Sequence, residues 1–180
     1  MKKTPVEPFE YANAITKANP KGILLTTKSG DEVDTMVIGW GLMGNIWGKP
    51  TFTAFIRVSR HTYELLEASG EFTINVPEGR LDPQIFKVAG SLSGRDIDKV
   101  SELGLTLVEP EAVSAPAILE CPITLECRVV YQQQLDEAAI PAEVRDRFYP
   151  AVENPQGTDC TSDIHVAYYG EIVASYIVEE

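Results

Sequence analysis

The chain has 180 residues and a formal net charge of −12 at pH 7. A chain of this length can bury about 70% of its unfolded surface in one core, so it needs no disulfide or metal to stay folded. Its acidity argues against nucleic-acid binding, because neutralising phosphodiesters takes a basic face. We expect one domain over residues 1–180 and no nucleic-acid partner.

The N-terminus and the cysteines indicate the compartment. Residues 1–9 run from Met-Lys-Lys into Pro, Glu and Phe without an apolar stretch, so neither a signal peptide nor a membrane span is predicted. Cys121, Cys127 and Cys160 are odd in number and lack close pairing, which is typical of packed thiols in a reducing compartment. Cys160 and His165 as metal ligands are the alternative, but two ligands are too few for structural zinc. We expect a cytoplasmic protein with no membrane partner and no metal.

Short strands dominate the pattern of apolar residues. The predicted strands are 21–27, 35–40, 51–58, 71–76, 117–120, 123–133, 165–169 and 171–178, and the predicted helical segments are 62–68, 82–89, 96–103 and 144–149. Residues 28–34 are predicted as a polar hairpin loop, and Gly104 as a helix C-cap. Many short strands with few helices favour a small barrel closed on itself, which removes exposed edges.

Residues 136–163 interrupt this pattern. They mix acids with Phe148, Tyr149 and prolines at positions 141, 150 and 155. A polar segment this long inside a compact barrel is uncommon unless it covers a site or an interface. We interpret it as an excursion of the same domain, a lid or an interface element, that packs near the entrance of a binding site in its own chain or in a neighbouring subunit. A mobile surface loop is the alternative.

The segment 57–66 has the composition of a phosphate site. A strand gives way to a helix here, and Arg57 and Arg60 lie beside the hydroxyls of Ser59 and Thr62. The first N–H groups of a helix lack intrahelical partners, and the positive end of the helix dipole favours a dianion. Ser59 is the predicted N-cap. The alternative is an ordinary capped helix whose arginines pair with surface carboxylates.

The sequence lacks the motifs of acid–base or nucleophilic catalysis. Only His61 and His165 supply imidazoles, and there is no Walker loop, no Gly-x-Gly-x-x-Gly and no Gly-x-Ser-x-Gly. An enzyme of this kind takes its reactive group from a cofactor. A phosphate site in a strand-rich chain points to FMN or pyridoxal phosphate, and no lysine lies in the apolar setting that a Schiff base needs. FMN is favoured, and a binding protein for another phosphorylated ligand stays open.

Five motifs in register resemble one known family. They are 34–40 (Asp-Thr-Met-Val-Ile-Gly-Trp), 49–53 (Lys-Pro-Thr-Phe-Thr), 57–63 (Arg-Val-Ser-Arg-His-Thr-Tyr), 71–77 (Glu-Phe-Thr-Ile-Asn-Val-Pro) and 90–99 (Gly-Ser-Leu-Ser-Gly-Arg-Asp-Ile-Asp-Lys). Their order and spacing resemble the flavin reductase-like family with the FMN-binding split barrel, and within it the flavoredoxin-type proteins. The resemblance implies a mainly β fold, a split β-barrel of Greek-key type with short helices.

The resemblance also implies which residues contact FMN. The implied phosphate ligands are Ser59, Arg60 and Thr62, with Arg57 beside them. The implied ring-edge residues are Thr35, Met36, Val37, Gly39 and Trp40. The implied loop against the flavin contains Ser91, Ser93 and Gly94. Main-chain N–H and C=O groups along the ring edge would match the donors and acceptors of the pyrimidine, and Gly94 would permit a close approach of the backbone.

Three of the implied roles have alternatives on residue type alone. Trp40 either stacks on or walls the ring, or covers the core. Asn75 either caps a strand end near the ribityl chain or forms a turn before Val76 and Pro77. Arg95 and Lys99 either serve the phosphates of a nicotinamide cofactor or balance the acids at positions 96 and 98, and the second interpretation is favoured.

His165 is the predicted catalytic residue. It lies just before a predicted strand and is the imidazole expected beside the reactive face of the flavin. There it would orient a nicotinamide or, as imidazolium, stabilise negative charge on the ring. The alternative is a surface histidine at a strand start.

The resemblance predicts an FMN-binding homodimer that acts as an NAD(P)H-dependent flavin reductase, with NADH or NADPH as electron donor. The flavin would supply the chemistry and the protein would control its access. The alternative is a flavoredoxin-like electron carrier that takes electrons from a protein partner without oxidising NAD(P)H directly. Dimerisation follows from the resemblance alone.

Overall fold

The computed structural model describes residues 1–150 and 163–179. Its strands are β1 (Lys2–Pro5), β2 (Ile23–Ser29), β3 (Glu32–Ile38), β4 (Gly41–Ile46), β5 (Lys49–Arg57), β6 (Glu71–Val76), β7 (Leu107–Val108), β8 (Ala117–Ile118), β9 (Ile123–Gln134) and β10 (His165–Glu179). Its helices are α1 (Ala12–Ala18), α2 (His61–Ser69), α3 (Pro83–Ser91), α4 (Lys99–Leu103) and α5 (Ala142–Phe148). Short 3₁₀ turns lie at Pro8–Tyr11, Asn19–Lys21 and Glu137–Ala139. The mainly β fold class is confirmed. None of the helices in these ranges has the length and apolar character needed to cross a membrane.

One antiparallel sheet carries the architecture. Its strand order is β3-β2-β6-β9-β10-β5-β4, with β1 paired to the end of β10. The ladder does not return from β4 to β3, so the prediction of a barrel closed on itself is wrong, and both strands end the described sheet. The sheet curls until residues of β3 approach residues of β5. This seam between β3 and β5 is the opening of the split barrel.

β10 is one continuous strand where two were predicted. It pairs with β5 over residues 165–171 and with β9 over residues 166–177. Gly170, which separates the two predicted strands, stays in the strand at a shift of register against β9. A Cβ atom at this position would lie 2.5 Å from Cζ of Phe72. Glycine is required here by close packing and not by a turn.

Pairing extends two strands beyond their predicted ends. The predicted hairpin loop 28–34 is wrong, because β2 and β3 pair as far as Ser29 and Glu32. Gly30 in the remaining tight turn has a left-handed φ of +59°, which glycine adopts without steric cost.

β4 is absent from the prediction because its glycines weaken the strand signal. It forms by pairing with β5 along its whole length.

Side-chain caps define where α3 and α4 begin. Asp82 accepts the N–H groups of Gln84 and Ile85 at the start of α3. α4 is shorter than predicted and begins at Lys99, because Asp98 is the N-cap. Gly104 is its C-cap with a left-handed φ of +60°, as predicted.

The main core lies under the sheet, α1 and α2. Its fully buried side chains include Ile15, Ile23, Leu25, Phe52, Ile56, Leu66, Phe72, Ile74 and Tyr168. A second apolar cluster beneath α3 and α4 includes Leu24, Ile85, Ala89 and Ile118. Cys121 and Cys127 are free and buried, and burial raises the pKa of the Cys121 thiol to about 12. These two are packed thiols, as predicted, whereas Cys160 lies outside the described residues.

Candidate functional site

One cleft lies at the seam between β3 and β5, and a second lies at the start of α2. The seam cleft, of about 220 Å³, is lined by Met36, Val37, Ile38, Gly39, Trp40, Phe55, Arg57, Arg60 and His165. The serine cleft, of about 140 Å³, is lined by Ser59, Arg60, His61, Thr62, Ser91, Leu92, Ser93, Arg95 and Lys99. Arg60 lines both clefts. The structure therefore places the predicted FMN-contacting residues in the lining of these two clefts, with the exceptions of Thr35, Asn75 and Gly94.

The outer edge of β3 supplies backbone hydrogen-bonding groups to the seam. The Thr35 carbonyl points away from β2, since Lys99 Nζ donates to it at 2.8 Å. In an antiparallel pair the N–H and C=O of one residue point to the same side of the strand, and this side alternates from one residue to the next. The backbone groups of Val37 therefore face the same outer edge. The Thr35 side chain instead points into the core, where its Oγ1 donates to the carbonyl of Leu25.

The start of α2 differs from the prediction. Arg60 occupies the N-cap position and makes no side-chain capping bond, so the assignment of Ser59 as N-cap is wrong. The carboxylate of Asp163 accepts the Ser59 N–H at 3.1 Å and the Ser59 hydroxyl at 2.7 Å. The N–H groups in the first turn of α2 thus lack a side-chain cap. Such groups favour an anion.

The hydroxyl of Thr62 is engaged inside the protein. Its Oγ1 donates to Oδ2 of Asp34 at 2.5 Å, and Thr62 is buried. Lys99 Nζ lies 3.0 Å from the other oxygen of Asp34. Burial lowers the pKa of Lys99, and the nearby Asp34 carboxylate opposes this shift. The expectation that Lys99 balances the acids at 96 and 98 is corrected: its partner is Asp34, which sequence reasoning missed.

Three of the four cations around the clefts are already paired. Arg57 lies 3.7 Å from Oδ2 of Asp163, and Arg95 lies 2.8 Å from Glu64, which is not the predicted Asp96 or Asp98. Lys99 is paired as described above. Arg60, by contrast, forms no ion pair within residues 1–150 and 163–179, and its Nη1 donates only a long bond of 3.4 Å to the carbonyl of Gly90. Its charge is the one available to a bound anion.

The loop after α3 forms the far wall of the serine cleft. Ser91 and Ser93 line the cleft, and the Ser93 hydroxyl accepts the N–H of Arg95. Gly94 packs elsewhere, because a Cβ there would lie 2.6 Å from Oδ1 of Asp34 and 2.8 Å from the ring of His61. The close approach that needs glycine at 94 is therefore to Asp34 and not to the serine cleft.

His61 is a second residue that sequence reasoning left without a role. Its Nε2 lies 2.6 Å from Glu32 and its Nδ1 lies 3.1 Å from Glu64. Burial disfavours the imidazolium, but the hydrogen bonds to the two carboxylates outweigh it and raise the pKa of His61. The residue ties the start of α2 to β3.

Aromatic rings wall the other end of the seam cleft. Trp40 is 38% exposed, so it does not cover the core. Its ring lies 4.6 Å from the ring of His165 and edge-on to Phe148 at 5.2 Å. His165 Nδ1 lies 2.8 Å from the hydroxyl of Tyr149, a contact made by a residue that sequence reasoning assigned only to the excursion.

His165 is a buried histidine and not a surface one. Burial, with the positive charge of Arg57 nearby, lowers its pKa to about 4. The imidazole is therefore neutral at pH 7. The predicted role as an imidazolium is at odds with this environment, while a role in orienting a ligand is compatible with it.

Both described ends of the excursion reach the seam, as expected. Arg57 donates to the carbonyl of Phe148 and to the carbonyl of Asp163, both at 2.8 Å. It thereby holds the end of α5 and the start of β10 beside the clefts of the same chain. Residues 151–162 lie outside the described residues.

Asn75 lies in the core, so both interpretations of it are corrected. It is a fully buried residue of β6, and neither a strand cap nor a turn former. Its amide donates to the hydroxyls of Thr26 and Thr73, and its carbonyl accepts the N–H of Ile118. Such a side chain satisfies buried polar groups between strands.

The open antiparallel sheet with its seam defines the class of split-barrel domains. The family model described as "Flavin reductase like domain" matches residues 18–180. The chain belongs to this family, and the predicted resemblance is confirmed.

Solved structures share the fold. The FMN-binding domain of a flavin reductases-like enzyme from Shewanella baltica is 19% identical, with a TM-score of 0.65 over 98% of this chain and 77% of that one. Flavoredoxin from Methanosarcina acetivorans is 25% identical, with a TM-score of 0.63 over 88% of this chain and 69% of that one. Both likenesses show the fold of the chain.

Curated relatives match over shorter lengths. An uncharacterized protein of Archaeoglobus fulgidus is 47% identical over 72 residues, which are 40% of this chain and 40% of that protein. An uncharacterized protein of Pyrococcus abyssi is 28% identical over 108 residues, 59% of each chain. The chain thus aligns with between about two fifths and three fifths of the length of these relatives.

Proposed function

We propose that the chain binds FMN across the two clefts and acts as an FMN-dependent oxidoreductase that takes electrons from NADH or NADPH. The observation that carries this proposal is the position of Arg60, which lines both the seam cleft and the serine cleft and is the cleft-lining cation that forms no ion pair within the described ranges. A ligand with a planar ring at one end and a dianion at the other fits this arrangement. The solved relatives named for FMN and flavoredoxin support it.

The seam cleft suits the ring. The outer edge of β3 offers the backbone N–H and C=O of Val37, and a pyrimidine edge needs such an alternation of donors and acceptors. Met36, Gly39 and Trp40 line the same cleft. Trp40 would wall the ring and hold back solvent. The bound flavin would supply the hydride and electron chemistry.

The serine cleft suits the phosphate. Arg60 would make a charge-assisted bond to it, together with the uncapped N–H groups of α2 and the hydroxyls of Ser91 and Ser93. Ser59 lines this cleft but shares its donors with Asp163. Thr62 contributes through Asp34, by fixing the first turn of α2 against β3, and its hydroxyl is not free for the ligand.

His165 would orient the reacting partner of the flavin. Its neutral imidazole lines the seam cleft and is held by the Tyr149 hydroxyl. Such a group can hydrogen-bond a nicotinamide without adding a positive charge. A hydride-transfer rate that is the same in wild type and His165→Gln, measured by rapid mixing, would return His165 to a structural role.

A flavoredoxin-like electron carrier is the second candidate, and it is favoured by the 25% identity to a flavoredoxin. An absorbance spectrum of the purified protein tests flavin binding in both candidates. Anaerobic titration with NADH and with NADPH separates them, because only the oxidoreductase bleaches the flavin band with a nicotinamide donor. A chain that takes up no flavin contradicts both.

We also propose that the protein is a homodimer. β4 ends the sheet, and beside it lies an exposed apolar face formed by Leu42, Trp47, Tyr131 and Tyr169. Leu42 is 62% exposed and Trp47 is 67% exposed, while the Tyr131 ring lies 6.3 Å from Trp47 and 5.4 Å from Tyr169. Contiguous exposed apolar side chains are typical of interaction surfaces. A second copy of this chain is the occupant that the family resemblance supports.

A further inference from the structure

A carboxylate is held at the turn that leads into α2. Asp163 accepts the Ser59 N–H at 3.1 Å through Oδ1 and the Ser59 hydroxyl at 2.7 Å through Oδ2. Arg57 Nη1 lies 3.7 Å from Oδ2, and the Asp163 side chain is 27% exposed. Backbone N–H, hydroxyl and guanidinium are the groups that bind a phosphate in proteins. Here they bind an internal anion.

We propose that Asp163 is a specificity-determining residue at the phosphate end of the site: its fixed negative charge weakens the binding of phosphate-bearing flavin relative to riboflavin. This inference rests on the proposed function.

Three contacts support the inference. Asp163 occupies both donors of Ser59, which lines the serine cleft. It also neutralises Arg57, whose two terminal nitrogens donate to the carbonyls of Asp163 and Phe148. Finally, its charge lies next to a residue of the cleft that would receive a dianion, well within the Debye length of about 8–10 Å. Arg60 is then the one guanidinium left to offset the phosphate.

The position of Asp163 does not depend on its charge. Arg57 donates to its main-chain carbonyl, and this bond does not involve the Asp163 side chain. In Asp163→Asn the amide oxygen can accept the Ser59 N–H while the amide nitrogen donates to the Ser59 hydroxyl. The variant therefore removes the charge and keeps the two hydrogen bonds.

The test compares dissociation constants for FMN and for riboflavin by fluorescence titration at low ionic strength. Asp163→Asn should bind FMN about tenfold more tightly than wild type, because a nearby like charge is lost, and its affinity for riboflavin should not change. The gain should shrink when salt is added. Asp146→Asn is the matched control, since it makes the same charge change at a side chain that is 77% exposed on α5.

The outcomes separate the two proposals. If neither wild type nor Asp163→Asn binds FMN more tightly than riboflavin, the phosphate site of the proposed function fails. If wild type prefers FMN and Asp163→Asn shows the same preference, the inference about Asp163 alone is overturned. An equal change for both ligands also overturns it, because Asp163 would then not act on the phosphate. Asp163→Ser, which removes the charge with a smaller side chain, provides the same measurement if Asp163→Asn melts at a lower temperature.

Discussion

Lys99 and Asp34 form an ion pair in which each side chain is only 4% exposed, with Nζ and Oδ1 3.0 Å apart. The pair joins three elements at the seam. Lys99 starts α4 and donates to the Thr35 carbonyl of β3, while Asp34 accepts the hydroxyl of Thr62 in α2. The edge of β3 and the start of α2 are thereby held in a fixed relation, which the proposed ring and phosphate contacts both need.

Removing Lys99 should destabilise the fold severely. Lys99→Met leaves the Asp34 carboxylate buried without its cation, which typically costs about 3–5 kcal/mol of unfolding free energy. Chemical denaturation measures the loss. Lys2→Met is the control, since the Lys2–Glu179 pair is 73% and 55% exposed. A Lys99→Met variant as stable as Lys2→Met would show that the buried pair contributes nothing.

Arg60→Ala should weaken FMN binding about a hundredfold, because it removes charge-assisted bonds that contribute about 1.5–3 kcal/mol each. Riboflavin binding should change much less. Arg57→Ala should cost less than Arg60→Ala, since Arg57 is committed to the carbonyls of Phe148 and Asp163. Fluorescence titration of both flavins measures the difference. Wild-type affinity of Arg60→Ala for FMN would contradict the phosphate assignment.

His165 should make the fold sensitive to acid. Its pKa in the folded chain is lowered to about 4, whereas an unfolded histidine titrates near about 6.5. Between these values the unfolded chain binds the additional proton, so the stabilising contribution is complete above pH 6.5 and is lost as the pH falls towards 4. Wild type should therefore lose about 2–3 kcal/mol more than His165→Gln between pH 7 and pH 4.5.

His61→Gln is a control for this measurement, because the contribution of His61 to the free energy of unfolding should change with pH in the opposite direction. The pKa of His61 is raised, so its contribution is present below about pH 6.5 and is lost as the pH rises. Parallel pH dependence of wild type and His165→Gln in urea denaturation would mean that His165 is not buried as a neutral imidazole.

Gly94→Ala should destabilise the protein by about 1–3 kcal/mol, the usual cost of overpacking. The added Cβ would lie 2.6 Å from Oδ1 of Asp34, so the carboxylate must move from its partner Lys99. Gly44→Ala is the matched control, because a Cβ at 44 meets nothing within 4 Å. Thermal denaturation compares the two, and equal melting temperatures would contradict the packing account.

Trp47→Asn should shift the protein from dimer to monomer in analytical ultracentrifugation. It removes a large apolar side chain from the exposed face beside β4, and asparagine tolerates the positive φ of 53° at this position. Phe9→Asn, at another exposed aromatic residue (46% exposed), is the control and should leave the association unchanged. A monomeric wild type would contradict the dimer proposal directly.

The sequence by itself determined the fold class and the family. Strand periodicity is local, and residues 51–58 and 71–76 were predicted almost to their observed ends. The segments 34–40, 57–63 and 90–99, which the family resemblance singled out, contribute residues to the two clefts. Both kinds of signal are carried by consecutive residues, so they can be detected without coordinates.

Tertiary structure alone decided which polar groups are free and which are engaged. Ser59, Thr62 and Asn75 all have side chains that could bind a cofactor, but the first two bind Asp163 and Asp34 and the third satisfies the core. β4 and the unbroken β10 likewise depend on pairing between distant residues. The partner of a charge or hydroxyl is set by chain segments up to about a hundred residues away, and burial then decides its protonation, as for His165. Residue type and spacing cannot encode such long-range contacts, because they arise only when the sheet folds around the core.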